Sequence, residues 1–167
     1  MSAKVVYNLW KGMPDPTRLL ALVVLCEDAL EVWKTYAKTG KIEYLDSVVG
    51  MKQVVEDDLP EKVLRAVQRQ LGGEILPNTE VQAIEKAYWE PIFALQNMDL
   101  EFPEAIEYAY YCLYNLFCLV FNKGDGITEH LVWNLAVSAQ LIKGDDEDID
   151  AVKLRWWKKV EDRGLTA

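Results

Sequence analysis

Residues 104–121 read EAIEYAYYCLYNLFCLVF, and this stretch decides the fold. Its apolar side chains lie on every side of a helix axis instead of along one stripe, which is typical of a helix that is buried all round. Pro103 stands where such a helix would begin, a position at which the missing proline N–H costs nothing. The sequence therefore predicts a central helix over residues 104–121, around which the rest of the chain packs.

Helical periodicity also fills the N-terminal part of the chain. Asp15 is expected to cap a helix that reaches Lys38, and Gly40 then stops it. A second helix is expected over residues 42–56, although the run Val48-Val49-Gly50 lowers helix propensity in its middle. Residues 1–14 are expected to form an N-terminal extension, either coil or a short strand.

Two further helices are predicted before the central one. The first begins at Leu59-Pro60 and ends at Gly72-Gly73, because proline fits the first turn of a helix and glycine its end. Thr79 and Gln82 are spaced as a capping box for the next helix. Pro91 is expected to kink or end that helix, because proline lacks the N–H donor and collides with the preceding turn.

The C-terminal part predicts two more helices and completes an all-α fold. One runs from the cap Thr128 to about Ile142, and the last begins within Asp145 to Asp148. No sustained alternation of period two indicates a sheet. We therefore expect a single compact domain over residues 1–167, with six or seven helices packed around the central one. Three tryptophans on apolar stripes are expected in the core: Trp33, Trp133 and Trp156.

Composition narrows the class of protein. Apolar residues make up 51% of the 167-residue chain, enough for a sizeable core. The formal net charge is −9, and residues 74–150 hold fifteen acidic but only three basic side chains. This balance argues against a nucleic-acid binder or a protein that adheres to anionic membranes, because both need a cationic surface. The longest purely apolar run, residues 19–26, is too short to span a membrane.

Cysteine usage predicts a cytoplasmic protein. Three cysteines without a short paired spacing favour a reducing compartment over a disulfide framework. The N-terminus also lacks the apolar segment and the cleavage site of a secretion signal. Cys26, Cys112 and Cys118 lie in apolar helical segments and are expected to be small buried side chains. We expect a cytoplasmic monomer.

No set of residues predicts a cofactor or a metal site. His130 is the only histidine, so the paired Glu-x-x-His motifs of a di-iron bundle cannot form. The alternating aspartates of residues 146–150 imitate the start of a calcium loop. That loop needs glycine and glutamate where Ala151 and Trp157 stand, so the match fails. We expect no catalytic, cofactor-binding or metal-binding residue.

Aromatic and acidic residues together predict a protein-binding surface. The six tryptophans and eight tyrosines exceed what a small helical core usually needs. Trp89 and Trp157 each stand beside another aromatic residue, and neighbours cannot both face inward from one helix. We expect these two to face solvent and to anchor a partner. Acidic residues would steer a basic partner. The predicted partner-binding carboxylates are Asp145, Asp146, Glu147, Asp148, Glu101, Glu104 and Glu107.

The turn from Asp145 to Asp148 is the preferred acidic part of this surface, because its charges are the densest. An alternative is that these four carboxylates only cap the last helix, where a helix dipole favours negative charge. The two interpretations differ in what neutralising the turn would change: partner kinetics in the first, thermal stability in the second.

A resemblance to a known family rests on three segments: Glu107-Tyr108-Ala109-Tyr110-Tyr111, Lys123-Gly124-Asp125 and His130-Leu131-Val132-Trp133-Asn134. With these segments, its size and its acidity, the chain resembles the small all-α immunity proteins of bacterial polymorphic toxin systems. Such proteins are cytosolic, are encoded beside a toxin, and bind and neutralise it. The resemblance implies inhibition of a cognate toxin by covering its active site or another surface that it needs.

Two other functions stay open from the sequence. One is a non-catalytic helical adaptor or anti-activator in the cell's own regulation, which the same acidic and aromatic surface would serve. The other is an enzyme in which Glu104 and Glu107, three residues apart on one helix face, act as acid and base. Gene context separates an adaptor from an immunity protein, since a toxin gene directly upstream favours immunity.

Overall fold

The computed structural model describes residues 1–122 and 149–166. These residues form a mostly helical domain with six helices and one two-stranded antiparallel hairpin, which confirms the predicted all-α class. The predicted helix over residues 128–142 lies outside the described residues. The elements in chain order are α1 (Ala3–Lys11), α2 (Asp15–Ala37), β1 (Glu43–Asp46), β2 (Met51–Val54), α3 (Leu59–Leu71), α4 (Asn78–Gln96), α5 (Glu104–Phe121) and α6 (Ile149–Asp162).

Helix α5 occupies the centre of the domain, as its all-round apolar pattern predicts. It packs against α2 and α3, and its bounds coincide with the predicted ones. Tyr110, Leu113, Leu116 and Phe117 are completely buried. Helices α2 and α3 also begin and end within a residue of the predicted positions. Propensity and pattern agree with tertiary packing in these three helices, which is why the sequence predicts them well.

Three buried tryptophans tie the helices together through their indole N–H groups. The Trp33 indole donates to the Asp57 carbonyl at 2.8 Å, and the Trp156 indole donates to the Ala21 carbonyl at 2.9 Å. The Trp10 indole donates to the Arg18 carbonyl at 3.2 Å. A buried indole N–H without an acceptor would destabilise the fold, and these three bonds remove that cost. The predicted burial of Trp33 and Trp156 is confirmed, and Trp133 lies outside the described residues.

The N-terminal extension is a helix, so the expectation of coil or strand is wrong. The Ser2 hydroxyl accepts a hydrogen bond from the Val5 N–H at 3.4 Å and caps α1. Ala3, Val6 and Trp10 are buried on one side of α1, which packs on α6 and on the start of α2. The spacing of three and four residues between these side chains is helical, but a nine-residue helix is marginal without such packing.

Residues 42–56 contain the β1–β2 hairpin, so the predicted second helix is wrong. Tyr44 pairs with Gln53, and Asp46 with Met51. Gly50 adopts φ +69° in the turn, a left-handed conformation that glycine takes without steric cost. The Val48-Val49-Gly50 run, which lowers helix propensity, therefore forms the turn of a hairpin.

Pro91 does not end helix α4, which continues to Gln96. Pro91, Tyr88 and Ile92 are all buried in the helix interface. Burial of this apolar side outweighs the cost of about 3 kcal/mol that an interior proline imposes.

The predicted capping box at Thr79 is also wrong, because α4 begins at Asn78 with no side-chain cap. Over the part of the chain that the structure describes, no helix has both the length and the apolar character needed to cross a membrane.

Candidate functional site

A groove of about 380 Å³ separates the β1–β2 hairpin from helix α4. We call it the hairpin–α4 groove. Its hairpin wall consists of Tyr44, Asp46, Val49 and Gln53, and its helical wall consists of Trp89, Glu90 and Phe93.

The hairpin turn is held in place by two aspartates. Asp46 Oδ1 accepts hydrogen bonds from the N–H groups of Val48 and Val49, at 2.8 and 3.2 Å. Asp99, just after α4, accepts from both the N–H and the hydroxyl of Ser47 through Oδ2, at 3.0 and 2.8 Å. Two-stranded hairpins are marginal in isolation, so these bonds stabilise the wall of the groove.

The helical wall presents two aromatic rings to solvent. Trp89 and Phe93 are four residues apart on α4, which places them on the same side of the helix. Trp89 is 41% exposed and Phe93 is 44% exposed. The Trp89 ring also contacts Tyr114 of α5, with ring centroids 6.0 Å apart. One edge of Trp89 is therefore supported by the core while the ring remains available to a partner.

Beneath this wall, two buried tyrosines hold α4 against α5. The Tyr88 hydroxyl donates to the Tyr110 carbonyl at 2.7 Å, and the Tyr110 hydroxyl donates to the Tyr88 carbonyl at 3.3 Å. Their rings stack with centroids 4.1 Å apart, and the Tyr114 ring also stacks with that of Tyr88, with centroids 5.5 Å apart. Reciprocal bonds satisfy both buried hydroxyls and fix the two helices relative to each other. The position of Trp89 is thus set by the core.

The groove is negatively charged. Asp46 and Glu90 line it, and no lysine or arginine of the described ranges does so. Neither carboxylate forms an ion pair within residues 1–122 and 149–166. Burial, followed by the charges of Glu90, Asp46 and Asp99, raises the pKa of the Tyr44 phenol above its ordinary value. The part of this shift that comes from the three carboxylates reflects a negative potential, and a negative potential attracts a cation.

Exposed apolar side chains lie on the turn and on both faces of the hairpin. Val48 and Met51, at the end of the hairpin, are 71% and 62% exposed. Leu45 and Val54 are exposed on the opposite face of the hairpin, since neighbours along a strand alternate between faces. Clusters of exposed apolar side chains mark protein-binding sites in soluble domains.

Of the two predicted aromatic anchors, only Trp89 is exposed. Trp157 is 5% exposed, so the expectation that it faces solvent is wrong. It lies against Trp156, with ring centroids 5.8 Å apart, and lines a separate crevice with Leu9 and Met13. Helix α1, which the sequence pattern did not predict, forms part of that crevice and covers Trp157.

The predicted acidic residues do not line the hairpin–α4 groove. Glu101 lies with Asp99 at a different, polar crevice beside the start of β1. Glu104 is exposed at the first turn of α5, where it raises the pKa of the Tyr108 phenol by accepting its hydrogen bond. Glu107 is half-buried one turn further along. The turn from Asp145 to Asp148 lies outside the described residues.

The cysteines are buried, as predicted. Burial raises the pKa of the Cys118 thiol to about 11 and that of Cys112 well above its ordinary value. A thiol that stays protonated at neutral pH is a poor nucleophile. In the described ranges, no three histidine, cysteine, aspartate or glutamate side chains lie together as metal ligands would.

Of the seven residues that line the groove, the sequence predicted only Trp89 as a binding residue; it missed Tyr44, Asp46, Val49, Gln53, Glu90 and Phe93. Trp89 and Phe93 have the spacing of one helix face, but the expected break at Pro91 separated them. Tyr44 and Asp46 alternate as strand residues do, but four residues are too few to show period two against a helical background.

No protein-family model, curated protein or solved structure matches this chain. A functional proposal for this protein therefore rests on the chemistry of the hairpin–α4 groove and on the three sequence segments that carry the resemblance.

Proposed function

We propose that this protein is an immunity protein: a non-catalytic binding protein that neutralises a cognate protein toxin in the bacterial cytoplasm. It covers the toxin's active site or another surface that the toxin needs. The observation that carries the proposal is the hairpin–α4 groove, where exposed aromatic rings and two carboxylates share one supported surface.

The aromatic rings supply affinity in this proposal. Large aromatic side chains at the centre of an interface contribute most of the binding free energy, because they bury much area at little entropic cost. Trp89 and Phe93 already lie side by side, and Val48 and Met51 add apolar area at the end of the hairpin.

The rigidity of both walls lowers the cost of binding. Ordering a mobile loop on association consumes part of the interaction free energy. Here the turn is held by the Ser47–Asp99 bonds and α4 by the Tyr88–Tyr110 bonds before any partner arrives. A preformed surface of this kind suits an inhibitor that must capture a toxin quickly and hold it.

The charge of the protein supports a basic partner. A net charge of −9 and a groove lined by Asp46 and Glu90 attract a cationic surface. Enzymes that act on phosphorylated substrates, nucleases among them, present such surfaces around their active sites. Opposite charge accelerates encounter more than it strengthens the final complex.

The test is co-expression with the product of the neighbouring gene. We expect the wild-type chain to restore growth that the toxin abolishes and to co-purify with it as a one-to-one complex. The double variant Trp89→Ala, Phe93→Ala should lose both effects while keeping its helical circular dichroism. Ile75→Ala is the matched control, because Ile75 is exposed but does not line the groove.

Growth arrest that wild-type chain does not relieve, with no complex formed, contradicts the immunity proposal. A tight complex with a regulator of the producing cell instead of a toxin indicates the alternative, a helical adaptor or anti-activator that uses the same surface. Retained protection in a Glu104→Gln, Glu107→Gln variant is expected, because neither residue lines the groove.

A further inference from the structure

We infer that the hairpin–α4 groove binds an arginine side chain presented by the partner protein. The inference rests on the proposed function and deepens it, since it names the group of the toxin that the groove recognises. Three features of the groove support it: aromatic walls, two carboxylates, and the absence of a described basic residue among its lining.

The aromatic wall suits the flat face of a guanidinium group. A cation within about 6 Å of an aromatic ring centre is attracted by the ring, most strongly by tryptophan. Trp89 and Phe93 are both partly exposed along the same wall, so the aliphatic stem and the head of one side chain can contact both rings.

The carboxylates suit the edge of the same group. Asp46 is already oriented by the turn, because its Oδ1 accepts from two backbone N–H groups. A carboxylate has about four acceptor positions, so Asp46 keeps capacity for a further donor. Glu90 is exposed next to Trp89 in the chain and lines the groove beside it.

The protein itself contains a smaller example of this chemistry. The Arg18 guanidinium lies 5.8 Å from the centre of the Trp10 ring and forms an ion pair with Asp15. An aromatic ring and a carboxylate thus take part in binding this arginine, together with the Lys11 carbonyl, and the groove offers two exposed rings and two carboxylates. Lysine fits less well, because its compact ammonium neither stacks on a ring nor donates in a planar fork.

The experiment uses the full-length protein and the blocked tripeptide acetyl-Gly-Arg-Gly-amide. Binding is followed by NMR through the indole N–H signal of Trp89, assigned with the Trp89→Phe variant. We expect a saturable shift of this signal that weakens as salt is added. Peptides with citrulline or lysine at the central position should bind about tenfold more weakly, because citrulline lacks the charge and lysine lacks the fork.

The double variant Asp46→Asn, Glu90→Gln tests the carboxylates. Asparagine keeps the side-chain oxygen that accepts from the turn, so we expect the fold to be retained, and arginine-peptide affinity to fall about tenfold. Glu161→Gln, Asp162→Asn removes the same charge from two exposed residues of α6 and should leave the affinity unchanged. Thermal unfolding of each variant verifies the fold.

Three results would overturn the inference: equal binding of the citrulline peptide, equal binding of the lysine peptide, or unchanged affinity in the groove variant. A wild-type dimer in sedimentation that Trp89→Ala dissociates would also overturn it, because a second copy would then occupy the groove. The proposed function is judged separately by growth. If the wild-type protein neutralises the toxin and Trp89→Ala does not, but the wild-type protein fails to bind the arginine peptide, only the inference is refuted. If the wild-type protein binds the arginine peptide but does not neutralise the toxin, only the immunity role is refuted.

Discussion

Trp89 and Trp157 show at the residue scale how neighbours decide the role of a side chain. Both tryptophans follow another aromatic residue in the chain, and both are equally suited to an interface by residue type. Trp157 is buried at the bottom of a crevice that it shares with residues of α1 and the start of α2. Trp89 contacts Tyr114 on one side and is exposed to the groove on the other. Their substitution should therefore affect different quantities.

We expect Trp89→Ala to weaken the toxin complex by about 2 kcal/mol or more, mainly through faster dissociation. Its free energy of unfolding should be almost unchanged. Trp157→Ala should instead lower the free energy of unfolding by about 3–5 kcal/mol, the range for a large buried aromatic side chain. Surface plasmon resonance measures the first quantity and urea unfolding the second. Equal loss of stability in the two variants would contradict the difference in burial.

At the scale of elements, α5 carries the core. We expect Leu116→Ala or Phe117→Ala to lower the free energy of unfolding by about 2–5 kcal/mol, because each side chain is completely buried. Val5→Ala is the control, since Val5 is exposed on α1 and should change stability by less than about 0.5 kcal/mol. Chemical denaturation gives all three values. A loss below about 1 kcal/mol at both α5 positions would place this helix at the periphery.

The β1–β2 hairpin depends on the backbone of its turn. We expect Gly50→Ala to cost about 1–2 kcal/mol, because a Cβ is strained at φ +69°. No atom lies within 4 Å of that Cβ, so the cost comes from the backbone alone. Gly50→Asn is the matched variant, since asparagine tolerates the left-handed region, and it should recover most of the loss. Urea unfolding distinguishes the two, and equal stability of both variants would refute the strain.

At the scale of the whole molecule, buried acids make stability sensitive to high pH. Burial raises the pKa of Tyr88 and Tyr110 well above 10.0 and that of Cys118 to about 11. In the unfolded chain, thiols and phenols ionise near about 8.5 and 10, so the unfolded state loses its protons first. Their contribution is therefore full below about pH 8.5 and is lost as the pH rises through the folded values.

We accordingly expect the free energy of unfolding to fall between pH 9 and pH 11, measured by urea denaturation across that range. Phenolate absorbance at 295 nm should rise for Tyr88 and Tyr110 only as the helical circular dichroism is lost. Ionisation of all eight tyrosines in a protein that keeps its circular dichroism would contradict the burial of this pair.

The rate of toxin association can show which of two acidic regions faces the toxin: the groove carboxylates Asp46 and Glu90, or the turn from Asp145 to Asp148. We expect Asp46→Asn, Glu90→Gln to slow toxin association and to flatten its salt dependence, because exposed charges act over roughly 8 Å at physiological ionic strength. Neutralising the four residues from Asp145 to Asp148 should do the same if that turn belongs to the interface. Lower thermal stability with unchanged association would show that those carboxylates only cap the last helix. Stopped-flow association at several salt concentrations measures both.

The candidate site was predictable only in part, and Pro91 explains why. Local propensity treats an interior proline as the end of a helix, yet the burial of Tyr88 and Ile92 against the core outweighs that cost. Once the helix is continuous, Trp89 and Phe93 form one exposed wall. The opposite wall comes from residues 44–53, more than thirty positions earlier, and sequence spacing alone carries no information about that approach.

The sequence by itself determined the class of the fold and its centre. Residues 104–121 are apolar on every side, and such a segment can only be buried, so local pattern and tertiary packing demand the same structure there. Tertiary structure alone decided the short and mixed segments. Helix α1, the hairpin and the course of α4 through Pro91 each have weak or opposing local preferences. Packing of α1 on α6 and α2, and of α4 on α3 and α5, is worth more free energy than those preferences, whereas hydrogen bonds to Asp46 and Asp99 hold the turn of the hairpin.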